Sequence, residues 1–68
     1  MKQKISNANK EPTEFFINHL YDTALYASQL TTLETGIHII ETGLAGWPEI
    51  RDREIEKLKK EFKLWELL

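Results

Sequence analysis

The sequence contains no cysteine, and only three glycines and two prolines among its 68 residues. Without cysteine it can form neither a disulfide nor a metal site built from thiolates. No stretch approaches the roughly 18 apolar residues that a membrane-spanning helix needs. Residues 1–12 are polar and charged, which is not the pattern of a secretory signal. We therefore expect a cytoplasmic protein with no membrane segment.

Basic side chains are missing from a long part of the chain. Residues 11–50 contain no Lys or Arg, and the only charged side chains there are acidic: Glu11, Glu14, Asp22, Glu34, Glu41 and Glu49. Such a segment would repel phosphate, so we expect no direct binding to nucleic acid. The pattern is typical either of an ordinary solvated helix surface or of an acidic surface that binds a basic groove on another protein.

The spacing of apolar residues predicts helices. A first, long helix is expected from Pro12, with Thr13 as an alternative cap. Leu33, Ile37, Ile40 and Leu44 continue its apolar face, so the pattern places Gly36 inside the helix. Gly43, with Pro48 soon after it, indicates the helix end. The alternative is a break at Gly36 followed by a short helix over residues 37–42.

A second helix is expected from Pro48 to near the C-terminus. Its residues Ile55, Leu58, Phe62 and Trp65 are spaced three, four and three apart, as in a coiled coil. The predicted fold is all-α: a flexible basic arm over residues 1–11, then a helical hairpin of one long and one shorter helix over residues 12–68.

A hairpin this small leaves apolar surface exposed, because a chain of this length buries only about 60% of its unfolded surface. We expect a homodimer in which two hairpins form a four-helix bundle. The residues assigned to the dimer interface are Leu30, Leu33, Ile37, Ile40, Ile55, Leu58, Phe62 and Trp65.

The sequence offers little for chemistry. Glu34, His38 and Glu41 share a helix face and could in principle bind zinc, but surface ion pairs have the same spacing. There is no cysteine nucleophile and no glycine-rich phosphate loop. We predict no enzymatic activity, no catalytic residues, no metal and no cofactor.

One segment suggests a family. The stretch "INHLYDTALYASQLTTLETG", residues 17–36, resembles the AbbA antirepressors, which are small helical bacterial proteins. The resemblance implies a dimer that binds the transcription regulator AbrB through an acidic surface that imitates DNA. It covers less than a third of the chain, and the second "ETG" and the turn "GLAGWPEIRDREIEK" have no counterpart. The positions that show it are Ile17, Asn18, His19, Tyr21, Leu25, Ser28, Leu33, Glu34, Thr35 and Gly36.

The functional hypothesis is a small dimeric regulatory protein, of bacterial or phage type, that binds and inhibits another protein, such as a DNA-binding regulator. The residues predicted to bind this partner are Glu14, Asp22, Glu34 and Glu41. Of these, Glu34 lies in the segment that resembles the antirepressors, and the others are included for their charge. The alternative hypothesis is a structural or assembly subunit that contacts its partners through the apolar C-terminal helix.

Overall fold

The computed structural model describes residues 11–68, and this part of the chain is all-helical with no strand. It contains three α-helices: α1 (Glu14–Leu30), α2 (Leu33–Gly43) and α3 (Pro48–Glu66). The predicted all-α class is therefore confirmed for these residues. The predicted arm over residues 1–11 lies outside the described residues, except for Glu11.

The start of α1 follows from its capping residue. Thr13 has an extended backbone, and its Oγ1 accepts a hydrogen bond of 3.1 Å from the backbone N–H of Phe16. This bond satisfies one of the amide groups that have no partner within the first turn. Glu14 in that turn interacts favourably with the positive end of the helix dipole. Thr13, the alternative cap in the sequence analysis, is thus the N-cap, and the helix begins at Glu14 and not at Pro12.

The prediction of one long helix through Gly36 is wrong, because the chain leaves the helical conformation at Thr31 and Thr32. Thr31 ends α1, and both its backbone N–H and its hydroxyl donate to the carbonyl oxygen of Ala27, at 2.9 and 2.7 Å. Thr32 begins α2 by accepting a hydrogen bond of 3.3 Å from the N–H of Thr35. Two adjacent threonines therefore close one helix and open the next.

The alternative prediction, a break at Gly36 itself, is also wrong, since Gly36 lies in α2 and the break occurs before it. The prediction that Gly43 ends a helix is confirmed, because α2 ends there. Pro48 is in the first turn of α3, as expected from its missing N–H. The turn between them contains a hydrogen bond of 2.9 Å from the N–H of Trp47 to the carbonyl oxygen of Leu44.

The break lets α2 fold back along α1, and the two glycines lie at the contact. A Cβ placed on Gly36 would overlap Ser28 Oγ and lie 2.6 Å from the carbonyl oxygen of Ala24. A Cβ on Gly43 would lie 2.6 Å from a methyl carbon of Leu20. On a continuous helix, Leu20 and Gly43 would be about 34 Å apart. The two helices are therefore antiparallel, and both glycines allow them to approach closely.

The third helix completes a small core. The buried apolar side chains come from all three helices and the turn, and Leu58 of α3 lies 3.1 Å from the Cβ position of Gly36. Each of the three helices is in contact with the other two. The core residues are Ile17, Ala24, Ile40, Leu44, Ile50 and Leu58.

We predict that Gly36→Ala destabilises the protein, although helix propensity alone would favour alanine by about 1 kcal/mol. The added methyl overlaps Ser28 and a backbone oxygen of α1, so the helices must separate. We expect the free energy of unfolding to fall by about 1–3 kcal/mol, the usual cost of an overpacked contact. Urea denaturation followed by circular dichroism measures it.

Gly46→Ala is the matched control. Nothing lies within 4 Å of a Cβ at Gly46, and among the described glycines none has a positive φ. Its effect on the free energy of unfolding should stay within about 0.5 kcal/mol. A Gly36→Ala variant as stable as wild type would show that α1 and α2 do not approach closely at this point.

Candidate functional site

The two glutamates of α2 form the most regular charged feature of the surface. Glu34 and Glu41 are both exposed and lie seven residues apart, which puts them on one side of the helix about 10 Å from each other. Each stands two residues before a glycine, so it lies about 200° around the helix from the surface that contacts α1. The repeat "ETG" therefore places glycine towards α1 and glutamate towards solvent, twice. We call Glu34 and Glu41 the α2 acidic pair.

The other two acids predicted to bind a partner lie elsewhere. Asp22 is exposed, but it is about 200° around α1 from both Leu20 and Ala24, which face α2. It therefore points away from α2, on the opposite side of the molecule from the α2 acidic pair. Glu14 is exposed in the first turn of α1. The four acids thus do not form one continuous surface.

The three side chains with the spacing of zinc ligands lie on the exposed side of α2. His38 is exposed between Glu34 and Glu41 on the outer surface of α2. Within residues 11–68 there is no group of three His, Cys, Asp or Glu side chains arranged to hold a metal ion.

The residues assigned to the dimer interface divide into two groups. Ile40 and Leu58 are fully buried against the other helices of the same chain, so in this fold they belong to its own core. Leu30 and Trp65 remain exposed, at 65% and 45% of their surface. The partly buried members are Leu33, Ile37, Ile55 and Phe62.

Sequence reasoning missed a buried glutamate on α3. Ile50, Glu54 and Leu58, each four residues apart, form the buried side of this helix. Only 4% of the Glu54 side chain is exposed, and its Oε1 has no hydrogen-bond partner although Lys57 Nζ lies 3.3 Å away as an ion pair. Its Oε2 lies 3.4 Å from Arg53 Nε. The signal that could have predicted this burial is that Glu54 lies four residues from both Ile50 and Leu58.

Lys57 also joins α3 to α1. Its Nζ lies 4.5 Å from the centre of the Tyr21 ring, and the Tyr21 hydroxyl donates a hydrogen bond of 3.2 Å to the Lys57 carbonyl oxygen. Burial raises the pKa of Tyr21 above its usual value, and the negative charges of Glu61, Glu54 and Asp22 raise it further. Tyr21 is thus held as a neutral phenol between the two helices.

We predict that the folded protein loses stability in alkaline solution as Tyr21 ionises. The folded state binds the phenolic proton more tightly than the unfolded state, whose pKa is about 10.0. This contribution is therefore complete below that pH and is lost as pH rises above it. The chain has two tyrosines, so a Tyr26→Phe variant reports Tyr21 alone by its phenolate absorbance. A midpoint at or below 10.0 would contradict the prediction.

We predict that Glu54→Leu leaves stability unchanged or raises it by about 1–4 kcal/mol, because a buried charge costs more to desolvate than its ion pairs return. Glu54→Gln should instead lower it by about 1–3 kcal/mol, since it keeps a buried polar group and loses the charge pairing. Chemical denaturation measures both, with the exposed Glu56→Leu as control. A Glu54→Leu variant less stable than wild type by more than about 1 kcal/mol would contradict the prediction.

Comparison with known proteins gives neither a family nor a function for this chain. No family model, no curated protein and no solved structure matches the chain. Among the described residues, no helix is both long and apolar enough to cross a membrane.

Proposed function

We propose that this protein is a small regulatory protein that binds and inhibits another protein through the α2 acidic pair. The observation that carries the proposal is that, in both copies of the "ETG" repeat, the glutamate lies on the opposite side of α2 from the glycine. One seven-residue repeat both packs α2 against α1 and displays Glu34 and Glu41 to solvent. The packing fixes the helix, and the helix keeps the backbone positions of the two glutamates about 10 Å apart.

Charge supports a basic protein surface as the partner. No Lys or Arg occurs in residues 11–50, so no basic side chain from α1 or α2 can neutralise the pair. The basic residues of α3 alternate with acids, and its ion pairs include Arg51 with Asp52 and Lys59 with Glu56. An acidic surface attracts a basic partner over a distance and gives fast, salt-sensitive association.

A DNA-binding regulator is the class of partner that we propose. Its DNA-binding surface is basic in order to neutralise phosphates, and two carboxylates on a rigid helix can compete for the same side chains. The resemblance of residues 17–36 to the AbbA antirepressors, with AbrB as their target, is consistent with this class.

We further propose that the protein acts as a homodimer, which would present the α2 acidic pair twice and increase avidity. A dimer of this chain would contain at least six helices, so the four-helix bundle is not retained.

An assembly subunit is the second candidate function, and the exposed apolar end of α3 favours it. Leu64 and Leu67 are 61% and 75% exposed, and Trp65 lies beside them in sequence. Large apolar side chains grouped in this way often mark a protein interface. In this function the apolar end would contact other subunits, and the charge of α2 would be unimportant.

We predict that Glu34→Lys/Glu41→Lys weakens capture of the regulator by at least about ten-fold, because placing like charges together costs several kcal/mol. The tagged protein would be incubated with lysate of the source cell, and captured proteins quantified by mass spectrometry at low and moderate salt. The captured regulator would then be tested for loss of DNA binding when wild-type protein is added.

Asp52→Lys/Glu56→Lys is the matched control, since it makes the same change in net charge on the outer side of α3, where both residues are exposed. It should retain capture. Equal capture by all three proteins would contradict the role of the α2 acidic pair. Loss of capture only on deletion of residues 64–68 would support the assembly subunit instead.

A further inference from the structure

The buried side of α3 continues beyond the helices that cover it. Exposure increases along this side towards the C-terminal end of α3: Glu54 and Leu58 are buried, Phe62 is partly buried, and Trp65 is 45% exposed. Trp65 lies within about 20° of Leu58 around the helix, so the change in exposure is not a change of direction. The same side of one helix passes from core to solvent.

The stagger of the helices explains this change. Leu58 packs at Gly36, and α2 begins only three residues before that glycine, at Leu33. From Leu58, α3 continues for eight more residues to Glu66, or about 12 Å, against about 4.5 Å of α2. In the part of the chain that the structure describes, the last two turns of α3, which carry Phe62 and Trp65, therefore extend beyond α2. Their rings contact each other, with centroids 5.7 Å apart.

We propose that a second copy of this chain covers the projecting end of α3, with the two α3 helices antiparallel about a two-fold axis. The inference names the surface of the dimer assumed in the proposed function, and it does not depend on what the α2 acidic pair binds. In the coiled-coil register of Ile55, Leu58, Phe62 and Trp65, an antiparallel pair places Phe62 against Trp65 of the partner subunit, and the reverse by symmetry.

The charges beside this seam select both the partner and the direction. In the antiparallel arrangement Lys59 lies opposite Glu66 of the partner subunit, which makes two opposite-charge pairs across the axis. In a parallel arrangement Glu61 would lie opposite Glu66 of the partner subunit, which makes two like-charge pairs. The ends of α3 are thus complementary to themselves in one direction only.

Both charged groups are available for such a contact. The only ion pair of Lys59 within the described residues is with Glu56, at 3.9 Å, the longest of the ion pairs there. Glu66 has no ion pair with any residue in the described range. A short seam of this kind buries less than the roughly 1,200 Å² of a standard interface, so we expect a reversible dimer that dissociates on dilution.

Sedimentation equilibrium over a range of concentrations tests the proposal. Wild type should show a reversible monomer–dimer equilibrium. Lys59→Glu should raise the dissociation constant by about 5–30-fold, because two pairs worth up to about 1 kcal/mol each become repulsive. Glu66→Lys should have a similar effect, and Lys59→Glu/Glu66→Lys, which exchanges the charges, should restore the wild-type value. Both residues are exposed, so circular dichroism should show unchanged folding.

Lys63→Glu is the control, since it makes the same charge change at an exposed position outside the seam and its flanks. It should leave the dissociation constant within about two-fold of wild type. A wild-type monomer at all concentrations, an effect of Lys63→Glu equal to that of Lys59→Glu, or failure of the exchanged pair to restore dimerisation would overturn the proposal. Glu34→Lys/Glu41→Lys should dimerise like wild type, which separates this test from that of the proposed function.

Discussion

The structure depends on the close approach of α1 and α2 at Gly36. A side chain there would overlap Ser28 and a backbone oxygen of α1, so only glycine allows the two helices to meet at this distance. Ser28 is buried at the same contact, and its hydroxyl donates a hydrogen bond of 2.8 Å to the carbonyl oxygen of Ala24. The polar group is therefore satisfied within its own helix, and the contact adds no unpaired buried atom.

The position of the third helix follows from that contact. Leu58 packs where Gly36 meets α1, so the depth of α3 in the bundle is set by the space that the missing side chain leaves. Lys57, one residue earlier, reaches Tyr21 of α1 by a hydrogen bond from the tyrosine hydroxyl and by contact with its ring. The resulting stagger leaves one end of α3 uncovered. The same interaction thus explains both the core and the surface that we assign to a second copy.

The sequence predicted the features that depend on local chemistry. Helix content, the glycine at the end of α2 and the proline in the first turn of α3 all follow from backbone preferences within a few residues. The break at Thr31 and Thr32 was missed because the apolar spacing from Leu30 through Leu33 to Ile37 continues across it. The signal that could have shown it is a Thr–Thr pair followed by Glu34 and Thr35, since threonine caps helices and favours alternatives to them.

The positions of the surface charges were harder to predict, because they depend on the same break between α1 and α2. On a single long helix, Glu14, Asp22, Glu34 and Glu41 would all lie on the surface of the same helix. The reversal of the chain instead directs Asp22 and the α2 acidic pair to opposite sides. The burial of Glu54 depends on how deeply α3 packs, and spacing from Ile50 and Leu58 gives its side of the helix but not its exposure. Long-range packing determined both outcomes, and local patterns do not contain it.

The reversal of the chain between α1 and α2 is the central claim, and a distance between spin labels at Asn18→Cys and Thr42→Cys tests it most directly. Both positions are exposed, and the chain has no other cysteine to label. Dilution with unlabelled protein removes distances between copies. The account predicts a distance of about 10–25 Å, as for neighbouring antiparallel helices with their side chains. A distance near 36 Å would show one continuous helix and contradict it.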